Sequence, residues 1–372
     1  KIKVEVNMAD ISDYLCWRGD ITFEQDPFND VDNLILAQIA YVDFSDIIPA
    51  PGIRSQLTLQ EAARLFFNKH SIEELKAVKT FIKDVPFFMR EAAATDRFKD
   101  VILSDYVDMV DDDRQMQFAA FHVHIPDGTI YVTFRGTDDS IAGWREDFNM
   151  SFMSPVPSQI EAVKYIGETL KGSTCDIRLG GHSKGGNLAI YGAVMSDKDI
   201  QARITDVYNN DGPGFDRAMI EDIRYQRMLP KIKTIVPYHS FVGMLLEHEE
   251  DYRVVKSSKR GIMQHDAMSW QVMGKRFVTH CKVSRESAVI QEAMSKWING
   301  MDMEERAEFV DALFSILTAS GAVNLSDVNA DLFKSAGAAI KMFNSLDAQT
   351  RSMLSKMLMS LRGEIARARK NI

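Results

Sequence analysis

Residues Gly180-Gly181-His182-Ser183-Lys184-Gly185-Gly186 set a hydroxyl between glycines. A strand-like run, Cys175 to Leu179, leads into this stretch, and a helix-like run, Asn187 to Val194, leads out of it. Strand, G-x-S-x-G, helix is the pattern of a nucleophile elbow. The turn is so tight that the neighbours of the serine must be small, which Gly181 and Gly185 satisfy. Such a turn lifts the Ser183 hydroxyl above the sheet, where it is expected to be exposed. It also aims the backbone N–H of Lys184, at the start of the next helix, toward the place where an oxyanion forms. The chemistry expected is acyl transfer through Ser183.

A serine hydroxyl is a weak nucleophile at neutral pH and needs a base. Around an elbow serine the chain order is nucleophile, acid, histidine, which sets aside His70, His122 and His124. His182 adjoins the serine, and its side chain is expected to point away. Of the remaining four, His265 is expected to be the base, because it follows the last probable core strand, Tyr252 to Lys256, by a short loop, Ser257 to Gln264. His239 comes too early, His248 sits in an acidic run read as a solvated loop, and His280 is the second choice. Asp211 is expected to be the acid. It follows the strand Thr205–Tyr208 and is presented by the sharp Gly212-Pro213-Gly214 turn. The usual position, one strand later, reads Tyr238-His239-Ser240-Phe241 and holds no carboxylate, so a dyad assisted by Ser240 is the alternative. Thr137, closing the run Phe134-Arg135-Gly136-Thr137, is expected to give the second oxyanion N–H beside that of Lys184.

The elements that must carry these groups divide the chain into three zones. Residues 1–112 read as a mostly helical region packed on the core. Capping boxes at Thr58/Glu61 and Ser71/Glu74 start two helices there, and Pro86 is expected to interrupt the second. Residues 113–284 alternate strand and helix. Met116–Ile125 and Thr129–Phe134 form a hairpin around Pro126-Asp127-Gly128, Pro157–Lys171 is a helix, and strands recur at Thr205–Tyr208, Ile232–Pro237 and Tyr252–Lys256. Alternation of this kind predicts an α/β fold with a mostly parallel central sheet flanked by helices. Residues 285–372 are helical, with apolar stripes Ile290/Ala293/Met294/Trp297, Val310/Leu313/Phe314/Leu317 and Met353/Leu354/Met357/Leu358/Leu361. They predict a cap or an oligomerisation element, and a homodimer through these helices is one expected partner.

The chain has 372 residues, 45% of them apolar, enough to bury a sizeable core. A net charge of −9 argues against electrostatic nucleic-acid binding. Cys16, Cys175 and Cys281 lack metal spacing and are expected to be buried, reduced thiols. No apolar run is long enough to span a bilayer, and Lys1 to Met8 alternates charge and apolarity, unlike a signal peptide. A cytoplasmic location is the expectation. No cofactor and no metal are expected; Asp111-Asp112-Asp113 lacks the spaced ligands and glycine of a calcium loop and reads as an exposed acidic turn. Lys184 is expected to act through its backbone, Asp147 to anchor the oxyanion loop, and Trp270 to plug the core.

Across Val132 to Ala193 the chain resembles the class 3, fungal-type lipases of the α/β-hydrolase superfamily. Phe134-Arg135-Gly136-Thr137 matches the strand end that bears their oxyanion residue, Trp144 and Asp147 match a Trp and an Asp that follow it, and Gly181 to Gly186 matches their G-H-S-x-G-G elbow. Their D-x-V-P acid segment is replaced here by Ser240-Phe241-Val242-Gly243. The whole chain is similar to an uncharacterised bacterial lipase-like family, through Tyr14 to Asp20, Phe28 to Asp32, Asp211 to Phe215 and Gln264 to Trp270. The resemblance implies a serine hydrolase and leaves its natural substrate open; an acyl ester or lipid is the expected substrate class. An amidase, peptidase or thioesterase with the same residues, or a non-catalytic binding protein on the same fold, are the alternatives.

Overall fold

The computed structural model describes residues 9–371 except 79, 81, 112, 139, 140, 151, 152, 320–342, 345 and 347. Lys1 to Met8, Asp112 and the side chains of Trp144, Leu313 and Leu317 lie outside the described part. The strands run β1 (Leu57–Thr58), β2 (Ile102–Asp111), β3 (Met116–His124), β4 (Ile130–Phe134), β5 (Ile177–His182), β6 (Ile204–Asn210), β7 (Ile232–Pro237), β8 (Tyr252–Val255), β9 (Val272–Met273), β10 (Arg276–Phe277) and β11 (Thr279–His280). Nine of them form one sheet in the order β1-β2-β3-β4-β5-β6-β7-β8-β11. Only the pairings from β4 to β8 are parallel; β1 to β4 pair antiparallel, as do β8 and β11. The sheet is therefore mixed rather than mostly parallel. The cause is visible in the connections: β3 and β4 are joined by a tight hairpin, whereas each parallel strand needs a longer crossover. That hairpin turns at Gly128 (φ 85°), with the Asp127 carboxylate accepting from the Thr129 N–H.

The strand β2 falls inside the stretch expected to be mostly helical. Its sequence, Ile-Leu-Ser-Asp-Tyr-Val-Asp-Met-Val-Asp, mixes acids among the apolar residues, and a register shift between Ser104 and Val107 breaks its alternation. Both capping boxes form as read, starting the helices Leu59–Lys69 and Ile72–Ala77. Pro86 begins the helix Val85–Ala92 instead of interrupting one; a residue without an N–H loses nothing in a first turn.

Two apolar layers sandwich the sheet. On one face Ile11, Leu34, Ile35, Phe44, Phe98 and Trp270 pack with Tyr131, Tyr208, Ile235 and Val255. On the other, Leu188, Ile190, Ala162 and Ile166 from the helices Lys184–Met195 and Pro157–Thr169 pack with Val132, Leu179 and Val207. Strands β4 to β6 are covered on both sides, and β4, Ile-Tyr-Val-Thr-Phe, reads accordingly as a nearly unbroken apolar run. The helices Arg285–Asn299, Met303–Ala319 and Ala348–Asn371 bury Trp297, Phe309, Val310, Phe314, Leu354 and Met357 among themselves. Leu358, placed in the apolar stripe from sequence, is instead 49% exposed. No helix among the described residues is long and apolar enough to cross a membrane.

Candidate active site

The elbow forms where its glycines dictate. β5 runs to His182, the helix starts at Lys184, and Ser183 between them has φ 57° and ψ −132°. This is a conformation that side chains rarely adopt, at a cost of about 1–3 kcal/mol that the surrounding contacts must hold. A Cβ on Gly185 would lie 2.1 Å from the Phe134 carbonyl oxygen, and one on Gly181 would lie 2.4 Å from the Gly185 backbone. Only glycine lets β4, β5 and the helix approach this closely. The Ser183 N–H donates to the Asn210 carbonyl at 2.9 Å, tying the turn to β6. Ser183 is more enclosed than an exposed hydroxyl would be, keeping 7% of its surface, and a Cβ on Gly212 would lie 2.3 Å from its carbonyl oxygen.

Three residues expected from sequence meet here. His265 Nδ1 lies 2.7 Å from Asp211 Oδ2, and His265 Nε2 lies 3.0 Å from Ser183 Oγ. An ionised carboxylate only accepts, so Nδ1 carries the proton and Nε2 accepts from the serine hydroxyl. Asp211 is fully buried at the end of β6, with φ 53°. Its other oxygen accepts from Ser240 Oγ at 2.5 Å and from the Gly243 N–H at 3.2 Å. The two readings of the acid thus merge. Ser240 touches the carboxylate, not the imidazole, and the segment that lacks a carboxylate supplies donors to Asp211 from β6.

His182 does not point away. It lies buried against His265, ring centroids 4.6 Å apart, with Nε2 2.8 Å from the His265 carbonyl and Nδ1 2.9 Å from the Tyr41 hydroxyl. A carbonyl can only accept, so Nε2–H donates to it and Nδ1 accepts from Tyr41. Burial, with the neighbouring His265, drives the His182 pKa well below its ordinary value and keeps it neutral. Tyr41 and His182 thereby clamp the backbone that bears His265. Sequence reasoning missed this pair because Tyr41 lies 141 positions away.

The two candidate oxyanion residues are held by adjacent acids on one helix, Ile141–Asn149. The Asp147 carboxylate accepts from Thr137 Oγ1 at 2.8 Å. The Lys184 ammonium donates to Glu146 at 2.8 Å and to the Gln117 carbonyl at 2.9 Å, fully buried. Glu146 also accepts from the Gln117 and Ser158 N–H groups. Lys184 starts its helix, so its backbone N–H has no partner within that helix. Asp147 was legible as an anchor; Glu146 was not, since nothing in its spacing marks it as the partner of Lys184.

Burial pushes the Asp147 carboxyl up to about 6, against the pull of Lys184 and Thr137. The folded state therefore holds this proton where the unfolded chain, near 3.8, has lost it. The contribution to stability is complete below about pH 4 and is lost as pH rises through 6. Asp147→Asn removes that dependence. Urea unfolding at pH 5 and pH 7.5 checks it: relative to the wild type, the variant gains stability at the higher pH.

The other histidines have structural surroundings. His248 is not solvated: it is buried with Nδ1 2.9 Å from Glu250. Burial alone would raise the Glu250 carboxyl, but hydrogen bonds from His248, Thr234 and Tyr225 hold it near 2. His280 stacks on Tyr238. Trp270 is fully buried, its indole N–H donating to the Gln264 carbonyl. The thiols are free, as expected, but Cys16 and Cys281 are exposed and Cys175 is half-buried.

A family model described as Mbeg1-like matches residues 92–315. No curated protein matches the chain. Among solved structures, the Rhizomucor miehei lipase propeptide complex is 15% identical with a TM-score of 0.34, over 48% of this chain and 70% of that one. A fungal lipase–inhibitor complex is also 15% identical, TM-score 0.35, over 46% and 70%. The M37 lipase is 17% identical, TM-score 0.35, over 57% and 68%.

Proposed function

The chain belongs to the Mbeg1-like family, a lipase-like group, and on that premise we propose that it is a serine hydrolase cleaving carboxylic esters through an acyl-enzyme. The observation that carries this reading is the line Ser183–His265–Asp211, hydrogen-bonded at 3.0 and 2.7 Å. In it, Ser183 Oγ attacks the ester carbonyl carbon while its proton passes to His265 Nε2. Asp211 keeps the imidazole in the tautomer that can take that proton and stabilises the imidazolium. The Lys184 and Thr137 N–H groups hold the oxyanion, each donor contributing about 3 kcal/mol to lowering the barrier. The tetrahedral species collapses, the alcohol leaves with the proton from His265, and His265 then activates water to release the carboxylic acid. None of these steps calls on a cofactor.

An apolar acyl group is the favoured substrate feature. Ile262 and Met263, in the same short turn as His265, are 62% and 56% exposed, and Met153 beyond the Asp147 helix is 39% exposed. A series of p-nitrophenyl esters of rising chain length, run beside a matched anilide and a thioester, tests the class. The proposal expects the esters to be fastest and rates to rise with chain length; uniformly negligible ester rates would overturn it. Asp211→Asn, which leaves the imidazole held in the wrong tautomer, is expected to lower kcat by up to about 10⁴-fold. A rate near that of the wild type would move the acid's role to another group.

A further inference from the structure

A second cluster lies on the antiparallel side of the sheet. His122 and His124, two residues apart on β3, face the same side of the pleat. Asp105 joins them from β2, where the register shift between Ser104 and Val107 and a φ of 58° at Asp105 turn it out of the ladder. One ligand atom from each residue lies within 4.8 Å of the other two, the one such group of His, Cys, Asp or Glu among the described residues.

Hydrogen bonding fixes the proton on His122. Thr169 Oγ1 donates its single proton to the Tyr165 carbonyl at 2.7 Å. At its 3.0 Å contact with His122 Nε2 it must therefore accept, so the His122 proton is on Nε2 and Nδ1 bears a bare lone pair. His122 is 2% exposed, and that lone pair faces Asp105 Oδ2 at 3.6 Å, too long for a hydrogen bond. The Ser104 hydroxyl donates to that same Asp105 oxygen at 2.6 Å, but a carboxylate oxygen keeps a further lone pair, and a cation between it and Nδ1 would be held by both. Ligands about 2.1 Å from a tetrahedral zinc stand about 3.4 Å apart, close to the spacing already present. A ligating imidazole whose other N–H is held by an oxygen is also the usual support for a metal.

We propose that His122 Nδ1, His124 Nε2 and the Asp105 carboxylate form a binding site for a divalent transition ion, zinc foremost. The donor set of two imidazoles and one carboxylate suits zinc and its first-row neighbours rather than magnesium or calcium, which take oxygens. His124 joins by moving its proton from Nε2 to Nδ1 as the Ser104 hydroxyl, now 2.9 Å away, turns aside. Ser104 or water completes the shell. The Asp105 side chain, 24% exposed, leaves a way in. His122 pairs with Val132 and, through it, with Leu179, four residues before Ser183. The ion is therefore a clip between β2 and β3, away from the serine.

The test uses the untagged full chain, stripped with chelator and titrated with zinc by calorimetry, with retained metal measured after desalting. One zinc per chain is expected, together with a rise in the unfolding midpoint and, on substitution with cobalt, the intense visible bands of tetrahedral coordination. Asp105→Asn and His124→Ala, both at partly exposed positions, are each expected to weaken binding roughly tenfold or more, and His280→Ala to leave it unchanged. Ester hydrolysis stays at the wild-type rate in both ligand variants, so failure of this site is separate from failure of the hydrolase reading. No stoichiometric retention by the wild type, or undiminished retention in both ligand variants, overturns the proposal.

Discussion

Replacing Ser183 with alanine is expected to lower kcat for an ester by roughly 10⁵–10⁶-fold without unfolding the protein. The reasoning starts from geometry. Ser183 is the one hydroxyl bonded to His265 Nε2 among the described residues, at 3.0 Å, and that imidazole is fixed from behind by Asp211. Alanine keeps the backbone demand of the elbow, since the strain at φ 57° belongs to any Cβ-bearing residue. Circular dichroism and the unfolding midpoint should therefore stay close to those of the wild type. Because the nucleophile and base act as a unit, His265→Ala should cost nearly as much, and the double variant little more than either. Additive losses in the double variant would mean that the two residues work independently, contrary to the proposed mechanism.

The largest effect on stability is expected at Lys184. Its ammonium and the Glu146 carboxylate are both fully buried and 2.8 Å apart. Breaking a buried pair by removing one partner strands the other charge and costs about 3–5 kcal/mol. Lys184→Met and Glu146→Gln should each fall in that range by urea unfolding. The double variant Lys184→Met/Glu146→Leu should recover most of the loss, since an apolar pair of similar volume avoids the desolvation that the charges carry. The Gln117 and Ser158 N–H groups, which also reach Glu146, lose their acceptor in that double variant, so recovery is expected to be incomplete. A loss under about 1 kcal/mol in the single variants would place the pair among weak surface ion pairs, against its burial.

The site was legible where sterics leave few choices. Glycine is required at 181 and 185 because a Cβ there would lie only 2.1–2.4 Å from neighbouring backbone, and that requirement is written in the sequence as G-x-S-x-G. His265 was legible from its place after β8, and Asp211 from the turn that follows β6. What supports them was not. The partners of His182, Lys184 and Asp211 are Tyr41, Glu146 and Ser240, brought in from distant segments, and no local periodicity announces a long-range hydrogen bond. His248 misled because a run of acids looks solvated, whereas one of them, Glu250, turns inward to meet it. The sheet misled for a related reason. Alternation of strands and helices marks the parallel half, but β2 carries acids and a bulge near the sheet edge, and its pairing with β3 is a tertiary fact. The exposed Cys16 and Cys281 show the same limit: thiols are commonly buried, but the neighbours that decide it are not adjacent in the chain.

The most direct measurement is covalent labelling with a fluorophosphonate, followed by mass spectrometry of the labelled peptide. The account predicts a stoichiometric adduct on Ser183 alone, absent in Ser183→Ala and formed far more slowly in His265→Ala. A folded wild-type protein that takes up no label, or one labelled at another serine with Ser183 untouched, would contradict it.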